Sequence, residues 1–141
     1  LPPTTVPVFP GLQALLEELA EEGVVLGALS NACGAYVRAV LRAHGFAEAF
    51  RTQLGADDVA EAKPAPGGLV KCCEILALRP NRRVCYVGDS AGDGKAARAA
   101  GLYSVGVRWG AGSEEELQGN FDVVVSSSEE LRAALAQSPP A

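Results

Sequence analysis

Two aspartates four residues apart stand where an apolar run of the chain ends, in Val87-Gly88-Asp89-Ser90-Ala91-Gly92-Asp93-Gly94. Two carboxylates with few other polar groups beside them can hold a hard divalent cation through oxygen. The glycines let backbone approach a ligand closely. Asp93 alone is equally well read as a helix cap beside a tight turn, but the pair at a strand's carboxyl end points to function. A second apolar run, Val24 to Leu29, closes on Ser30-Asn31. That hydroxyl, with the backbone N–H groups that follow it at a helix N-terminus, suits a phosphate oxygen, although Ser and Asn are also ordinary turn residues. The third candidate is Lys63 in Ala62-Lys63-Pro64-Ala65-Pro66. Its backbone is restricted by the proline after it, and Pro66 can open a helix. The same region invites a nucleotide-binding reading, because Gly88…Gly94-Lys95 approaches GxxxxGK[ST]. Here five residues separate the glycines, and Ala96 replaces the hydroxyl that would reach Mg²⁺. Two departures in so short a pattern exclude it.

The elements that would carry these residues follow from periodicity. Leu12, Leu15, Leu16 and Leu19 recur at helical spacing before Gly23. The run 24–29 has the length and continuity of a parallel strand buried on both faces. Helical stretches follow at 34–44, Pro66–Ala77, 93–100 and Glu129–Ala136, and Ser113-x-x-Glu116 is a capping box opening another short helix. Further strands read at 51–55, 83–87, Tyr103–Val107 and Phe121–Val125. Strands alternating with helices on short connections predict an α/β fold, a Rossmann-like parallel sheet flanked by helices. In such sheets ligands bind beyond the carboxyl ends of the strands, where all three candidate groups fall.

With 141 residues, 48% hydrophobic and 21% charged, the chain reads as one domain spanning 1–141. A chain of that length buries roughly 68–70% of its unfolded surface. The net charge of −5, with scattered basic residues, argues against nucleic acid or an anionic membrane as partner. No run is long enough for a membrane helix. Cys33, Cys72, Cys73 and Cys85 follow no metal-binding spacing. They are expected to be buried, reduced, small hydrophobes, which implies a reducing, cytoplasmic compartment. His44 reads as a helix-end or exposed residue, Trp109 as packing, and Glu114–Glu116 as a solvated first turn. The chain has no methionine and opens on Leu1-Pro2-Pro3, which reads as the back part of a longer protein.

In order and spacing, Pro7-Val8-Phe9-Pro10-Gly11, Leu29-Ser30-Asn31, Asp57-Asp58-Val59…Lys63-Pro64-Ala65-Pro66, Val87-Gly88-Asp89-Ser90…Asp93…Ala99-Ala100-Gly101 and Val105-Gly106-Val107-Arg108-Trp109-Gly110 resemble the haloacid dehalogenase (HAD) superfamily of phosphohydrolases, its phosphoglycolate-phosphatase-like branch in particular. The resemblance implies a Mg²⁺-dependent phosphatase acting on a small phosphorylated metabolite through an aspartyl-phosphate. Ser30 and Asn31 would bind phosphoryl oxygens. Lys63 would offset charge on the phosphoryl group and the nucleophile. Asp89 and Asp93 would hold or orient Mg²⁺. Gly94 departs from the apolar residue usual after the last aspartate.

The resemblance also defines what the chain lacks. The family's nucleophile is the first Asp of a DxDxT sequence on a central strand, and no Asp-x-Asp occurs here. The expectation is therefore a C-terminal portion of a HAD-like core, without the cap that selects substrate, and inactive by itself for want of a nucleophile. Loss of the central strand would leave the strands at 24–29 and 83–87 with unpaired edges, open to self-association or to a partner segment, or would force them together. Thr4–Phe9 could instead fill the space. The alternatives are a non-catalytic HAD-like module that binds Mg²⁺ or phosphate, and a purely structural α/β unit.

Overall fold

Residues 3 and 8–137 are described by the computed structural model of the chain; the rest of the Pro-rich start, including residues 4–7, and the tail from 138 lie outside the described residues. In chain order the elements are α1 (Leu12–Glu21), β1 (Leu26–Leu29), α2 (Gly34–Ala43), β2 (Phe50–Leu54), a 3-10 turn (Ala56–Asp58), α3 (Gly67–Ile75), β3 (Cys85–Gly88), α4 (Ala91–Ala100), β4 (Tyr103–Val107), α5 (Glu114–Asn120), β5 (Val123–Val125) and α6 (Ser128–Ala136). The alternation read from the sequence is present throughout, and every strand pair is parallel. None of the described helices is long and apolar enough to cross a membrane.

At two strand starts that differ from the periodic reading, a hydrogen bond explains the difference. The run from Val24 loses its first residues to helix termination: Gly23 turns left-handed at φ +83°, and the Val24 N–H bonds back to the Leu19 carbonyl at 2.9 Å. The Val84 N–H is likewise taken by the Asn81 carbonyl at 3.0 Å, so β3 starts at Cys85, two residues later than the periodic reading. Serines cap three of the helices. Ser90, Ser113 and Ser127 each accept the N–H of the residue three positions on, at 3.3, 3.2 and 3.1 Å.

The strands divide into two hydrogen-bonded groups. β1 pairs with β2, Leu29 lying opposite Leu54; β4 lies between β3 and β5, with Gly88 opposite Gly106 and Val107 opposite Val125. Among the described residues no backbone ladder joins β1 to β3. Their facing edges remain unpaired rather than being forced together. This corrects the expectation of strands buried on both faces. Only β4 is buried along its whole length, whereas β1 and β3 are half-buried, with Val87 37% exposed. A strand lacking one neighbour is covered by its helices but open along its free edge.

Helices cover both faces of the larger sheet. Leu15 of α1 and Leu131 and Ala134 of α6 pack on Tyr103, Val105, Val107 and Val125, and Leu69 and Cys73 of α3 with Ala96 and Ala97 of α4 form the opposite cluster. Adjacent β3 residues serve opposite faces: Cys85 packs with the α1–α6 cluster and Tyr86 with the α3–α4 cluster. Cys72 and Cys73 are buried thiols as expected, and burial pushes Cys72 up to about 11. Cys33 is exposed, contrary to expectation, because it caps α2 from a surface turn. His44 closes α2, with Nε2 buried and without a hydrogen-bond partner among the described residues. Trp109 does pack, its ring stacked on Phe9 at a centroid separation of 4.1 Å.

The anomalous Gly94 has a packing reason. It is buried in the first turn of α4, and a Cβ there would collide with the carbonyl of Asn120 at the end of α5. Gly94→Ala is therefore expected to destabilise the protein by about 1–3 kcal/mol, as overpacking does, although helix propensity alone would favour alanine by about 1 kcal/mol. Urea unfolding followed by circular dichroism gives the sign.

Candidate active site

The candidate residues arrive from four elements at one end of the strands. Ser30 follows β1 and is fixed by its own N–H, which donates to the Leu54 carbonyl at 3.0 Å and so extends the β1–β2 ladder. Its hydroxyl oxygen accepts the Ala32 N–H at 3.1 Å, which leaves the hydroxyl proton to donate outward. The helix N-terminus contributes less than its position implies. The Gly34 N–H at the start of α2 is occupied by Asp57 Oδ1 at 2.6 Å. Asp57 and Asp58 are thus structural: Asp58 accepts the Gly55 N–H at 2.8 Å and pairs with Arg38 at 3.1 Å. Asn31 is exposed, and its amide reaches the Lys63 carbonyl at 3.5 Å, tying the two loops rather than lining the cleft.

Lys63 is not a surface charge. Its side chain is 8% exposed, and Nζ lies 2.6 Å from Asp93 Oδ1, whose side chain is 9% exposed. Asp93 belongs to the first turn of α4, where it completes a capping box with Ser90. Its Oδ2 accepts the N–H groups of Asp89 and Ser90 at 3.0 and 3.2 Å. Gly88 permits this fold-back, since a Cβ at that position would stand 2.6 Å from Oδ2. Burial pushes the Asp93 carboxyl up, but the Lys63 ammonium and the local hydrogen bonds more than offset it and hold the group below its usual range. Asp93 is therefore an anion whose oxygens already serve Lys63 and the helix start.

Asp89 is held differently. Ala111, in the loop after β4, donates its N–H to Asp89 Oδ2 at 3.0 Å, and Gly112 donates to the Asp89 carbonyl at 2.8 Å. Oδ1 has no hydrogen-bond partner among the described residues. No set of three His, Cys, Asp or Glu side chains able to hold a metal ion occurs among them either. The donor set still fits Mg²⁺, which commonly takes one or two carboxylates and completes its shell with water and substrate phosphate. Ser30, Lys63, Tyr86, Asp89 and Asp93 together line one cleft of about 340 Å³. Leu12, Val107, Trp109 and Leu131 add apolar surface to its lining. Asp89 and Asp93 are the carboxylates among its lining residues.

Two parts of this site escaped the sequence reading. Tyr86 sits inside an apolar run, and its hydroxyl lies 2.6 Å from Lys63 Nζ. Burial first, and then the Asp93 charge, push the phenol up, so it stays protonated. The available signal was its chemistry: a tyrosine buried in a strand needs a partner for its hydroxyl. The 110–112 loop grips Asp89 through the backbone N–H groups of Ala111 and Gly112, and its signal was the pair Gly110 and Gly112, where a Cβ would stand 2.3 Å from Asp89 atoms.

Similarity to other proteins agrees with this geometry. Residues 3–107 match the family model of the haloacid dehalogenase-like hydrolases. The chain is 34% identical over 129 residues to the phosphoglycolate phosphatase of Escherichia coli K12, covering 91% of the chain and 51% of that protein. With the phosphoglycolate phosphatase of Haemophilus influenzae it shares 37% identity over 103 residues, 73% of the chain and 46% of the relative. A crystal structure of a HAD family hydrolase from Deinococcus radiodurans R1, with bound phosphate and sodium, superposes with a TM-score of 0.83 at 26% identity, covering 96% of the chain and 62% of the other. The chain spans about half the length of the curated relatives it matches. By sequence model, relatives and fold alike, it belongs to the haloacid dehalogenase-like hydrolases and is phosphoglycolate-phosphatase-like among them.

Proposed function

We propose that this chain supplies the phosphate-binding and metal-binding half of the active site of a Mg²⁺-dependent phosphatase that acts on a small phosphate monoester. The observation that carries this reading is the convergence of Ser30, Lys63, Asp89 and Asp93 on one cleft from separate elements. The phosphate bound to the Deinococcus radiodurans relative supports it. In this reading the Ser30 hydroxyl donates to a phosphoryl oxygen. The Lys63 ammonium, buried and held by Asp93, offsets the negative charge that a carboxylate nucleophile and a phosphoryl group would otherwise bring together. Mg²⁺, when bound, would shield the phosphate from an anionic attacker. Asp89 Oδ1 would reach the ion directly, while Asp93 orients the turn that presents Asp89.

The nucleophile comes from outside the cleft residues. An extended segment bearing an aspartate would pair with the edges of β1 and β3 that carry no ladder among the described residues and that end at Ser30 and Asp89. Attack of its carboxylate oxygen on phosphorus breaks the ester P–O bond, and the leaving alkoxide takes a proton. Water then hydrolyses the aspartyl-phosphate to release inorganic phosphate and restore the carboxylate. The exposed edges make this gap the place where an added segment, from the same protein or a partner, would pair.

In the full-length protein, Mg²⁺-dependent hydrolysis of p-nitrophenyl phosphate is expected, abolished by EDTA. Lys63→Ala and Asp89→Ala should each lower kcat/KM by about 100- to 1,000-fold, the scale for loss of one charge-stabilising group. Asp89→Ala should keep its circular dichroism and urea midpoint, whereas Lys63→Ala, which leaves Asp93 buried without its ammonium, should also unfold at lower urea. Absence of hydrolysis, with phosphate binding retained, would instead favour a non-catalytic binding module.

The 141-residue chain alone is expected to bind inorganic phosphate in a Mg²⁺-dependent manner by calorimetry and to lose that dependence in Asp89→Ala. Turnover of the ester by this chain alone would overturn the assignment of the nucleophile to an added segment.

A further inference from the structure

The ammonium of Lys63 has three N–H donors and meets three acceptors: Asp93 Oδ1 at 2.6 Å, the Tyr86 hydroxyl at 2.6 Å and the Leu29 carbonyl at 3.4 Å. Two of these contacts are short. The third, to the carbonyl of the residue before Ser30, is long. An ammonium cannot accept, so the Tyr86 oxygen accepts from Lys63. The phenolic proton is then free for the Leu29 carbonyl at 3.2 Å, the nearer of its two acceptors, Asp93 Oδ1 lying at 3.5 Å. The ammonium also lies 5.1 Å from the centroid of the Tyr86 ring. A lysine carries four rotatable bonds, and a single carboxylate would leave its head free to swing about that one contact. Tyr86 removes this freedom with a second short contact beside the first, its hydroxyl lying 3.5 Å from the same Asp93 oxygen. Its hydroxyl also bridges β3 to β1, across a boundary that no backbone ladder crosses among the described residues.

We propose that Tyr86 is a positioning residue for Lys63. Its hydroxyl fixes the ammonium between β3 and the end of β1, facing the space beside Ser30, so that the loosest contact, to Leu29, is the one exchanged for a phosphoryl oxygen. The catalytic part of this assignment rests on the phosphatase reading above; the hold on Lys63 does not. Phenylalanine would fill the same volume and lose only the hydroxyl, which makes Tyr86→Phe the informative change. Tyr103→Phe is the control, because Tyr103 lies on β4 outside the cleft lining and stacks with Arg82 through its ring.

Two measurements on the full-length protein test the proposal. In a ¹H–¹⁵N spectrum tuned to lysine ammonium groups, Lys63, assigned through Lys63→Arg, is expected to give a protected signal in the wild type and in Tyr103→Phe, and to lose it through fast exchange in Tyr86→Phe. With p-nitrophenyl phosphate and Mg²⁺, Tyr86→Phe is expected to lower kcat by about 10- to 100-fold, the scale of a displaced reacting group, with KM within about twofold of wild type. An unchanged Lys63 signal in Tyr86→Phe overturns the hold. A lost signal with unchanged kcat overturns the catalytic role and leaves Tyr86 a tie between the two sheets. A wild type that shows the protected signal but hydrolyses no ester overturns the phosphatase reading while the hold on Lys63 stands.

Discussion

The buried ion pair between Lys63 and Asp93 is the constraint around which the site is built. Two charges withdrawn from water are tolerated only when their remaining donors and acceptors are satisfied, and removing one partner of such a pair costs about 3–5 kcal/mol. Every neighbour here answers that demand. The Asp89 and Ser90 N–H groups fill Asp93 Oδ2, and Tyr86 and the Leu29 carbonyl take the donors that Asp93 leaves on Lys63. Gly88 lacks a side chain because the Asp93 carboxylate occupies the space where one would stand. The turn after β3, the start of α4, the loop before α3 and the end of β1 are thereby locked to one another through a single ammonium.

The lock has more to hold than a continuous sheet would require. With β1–β2 and β3–β4–β5 as separate ladders, side chains and the shared helix α3 carry the connection between the two parts. Helix α3 contributes Leu69 and Cys73 to a cluster that also contacts Leu29 of β1 and Tyr86 of β3. The half-exposed state of β1 and β3 is the complement of this arrangement, since among the described residues neither strand has a backbone partner on its outer edge. The cleft combines polar groups at the strand ends with an apolar side of Leu12, Val107, Trp109 and Leu131.

Most of the order of elements was legible in the residues. Continuous apolar runs became strands, helical spacing became helices, and Ser113 with Glu116 formed the capping box their spacing announced. Ser30, Lys63, Asp89 and Asp93 do line one cleft, because each lies just past a strand end or in a rigid loop at the same side of the fold. What was not legible depended on distance across the chain. The exposure of β1 and β3 could not be read from Val, Leu and Ala, because composition records a strand's affinity for burial and not the absence of a neighbour. Asn31 and the α2 N-terminus looked like phosphate groups, yet Asn31 ties a loop and Asp57, 23 residues beyond Gly34, had already claimed the amide. Gly94 looked like a weakness in α4 until Asn120 was found against it.

The sequence by itself determined the alternation of strands and helices, the caps that start the helices, and the set of groups able to meet a phosphate and a metal. These are local properties, set by periodicity over a few residues and by the chemistry of single side chains. Tertiary structure alone decided the division of labour within that set. Asp89 keeps one carboxylate oxygen free, whereas Asp93 spends both on Lys63 and the helix start, and Tyr86 joins them from an apolar strand. Those roles depend on which atoms stand within hydrogen-bonding distance after residues 22 to 34 positions apart have been brought together, and that information lies in the packing rather than in any one stretch of chain.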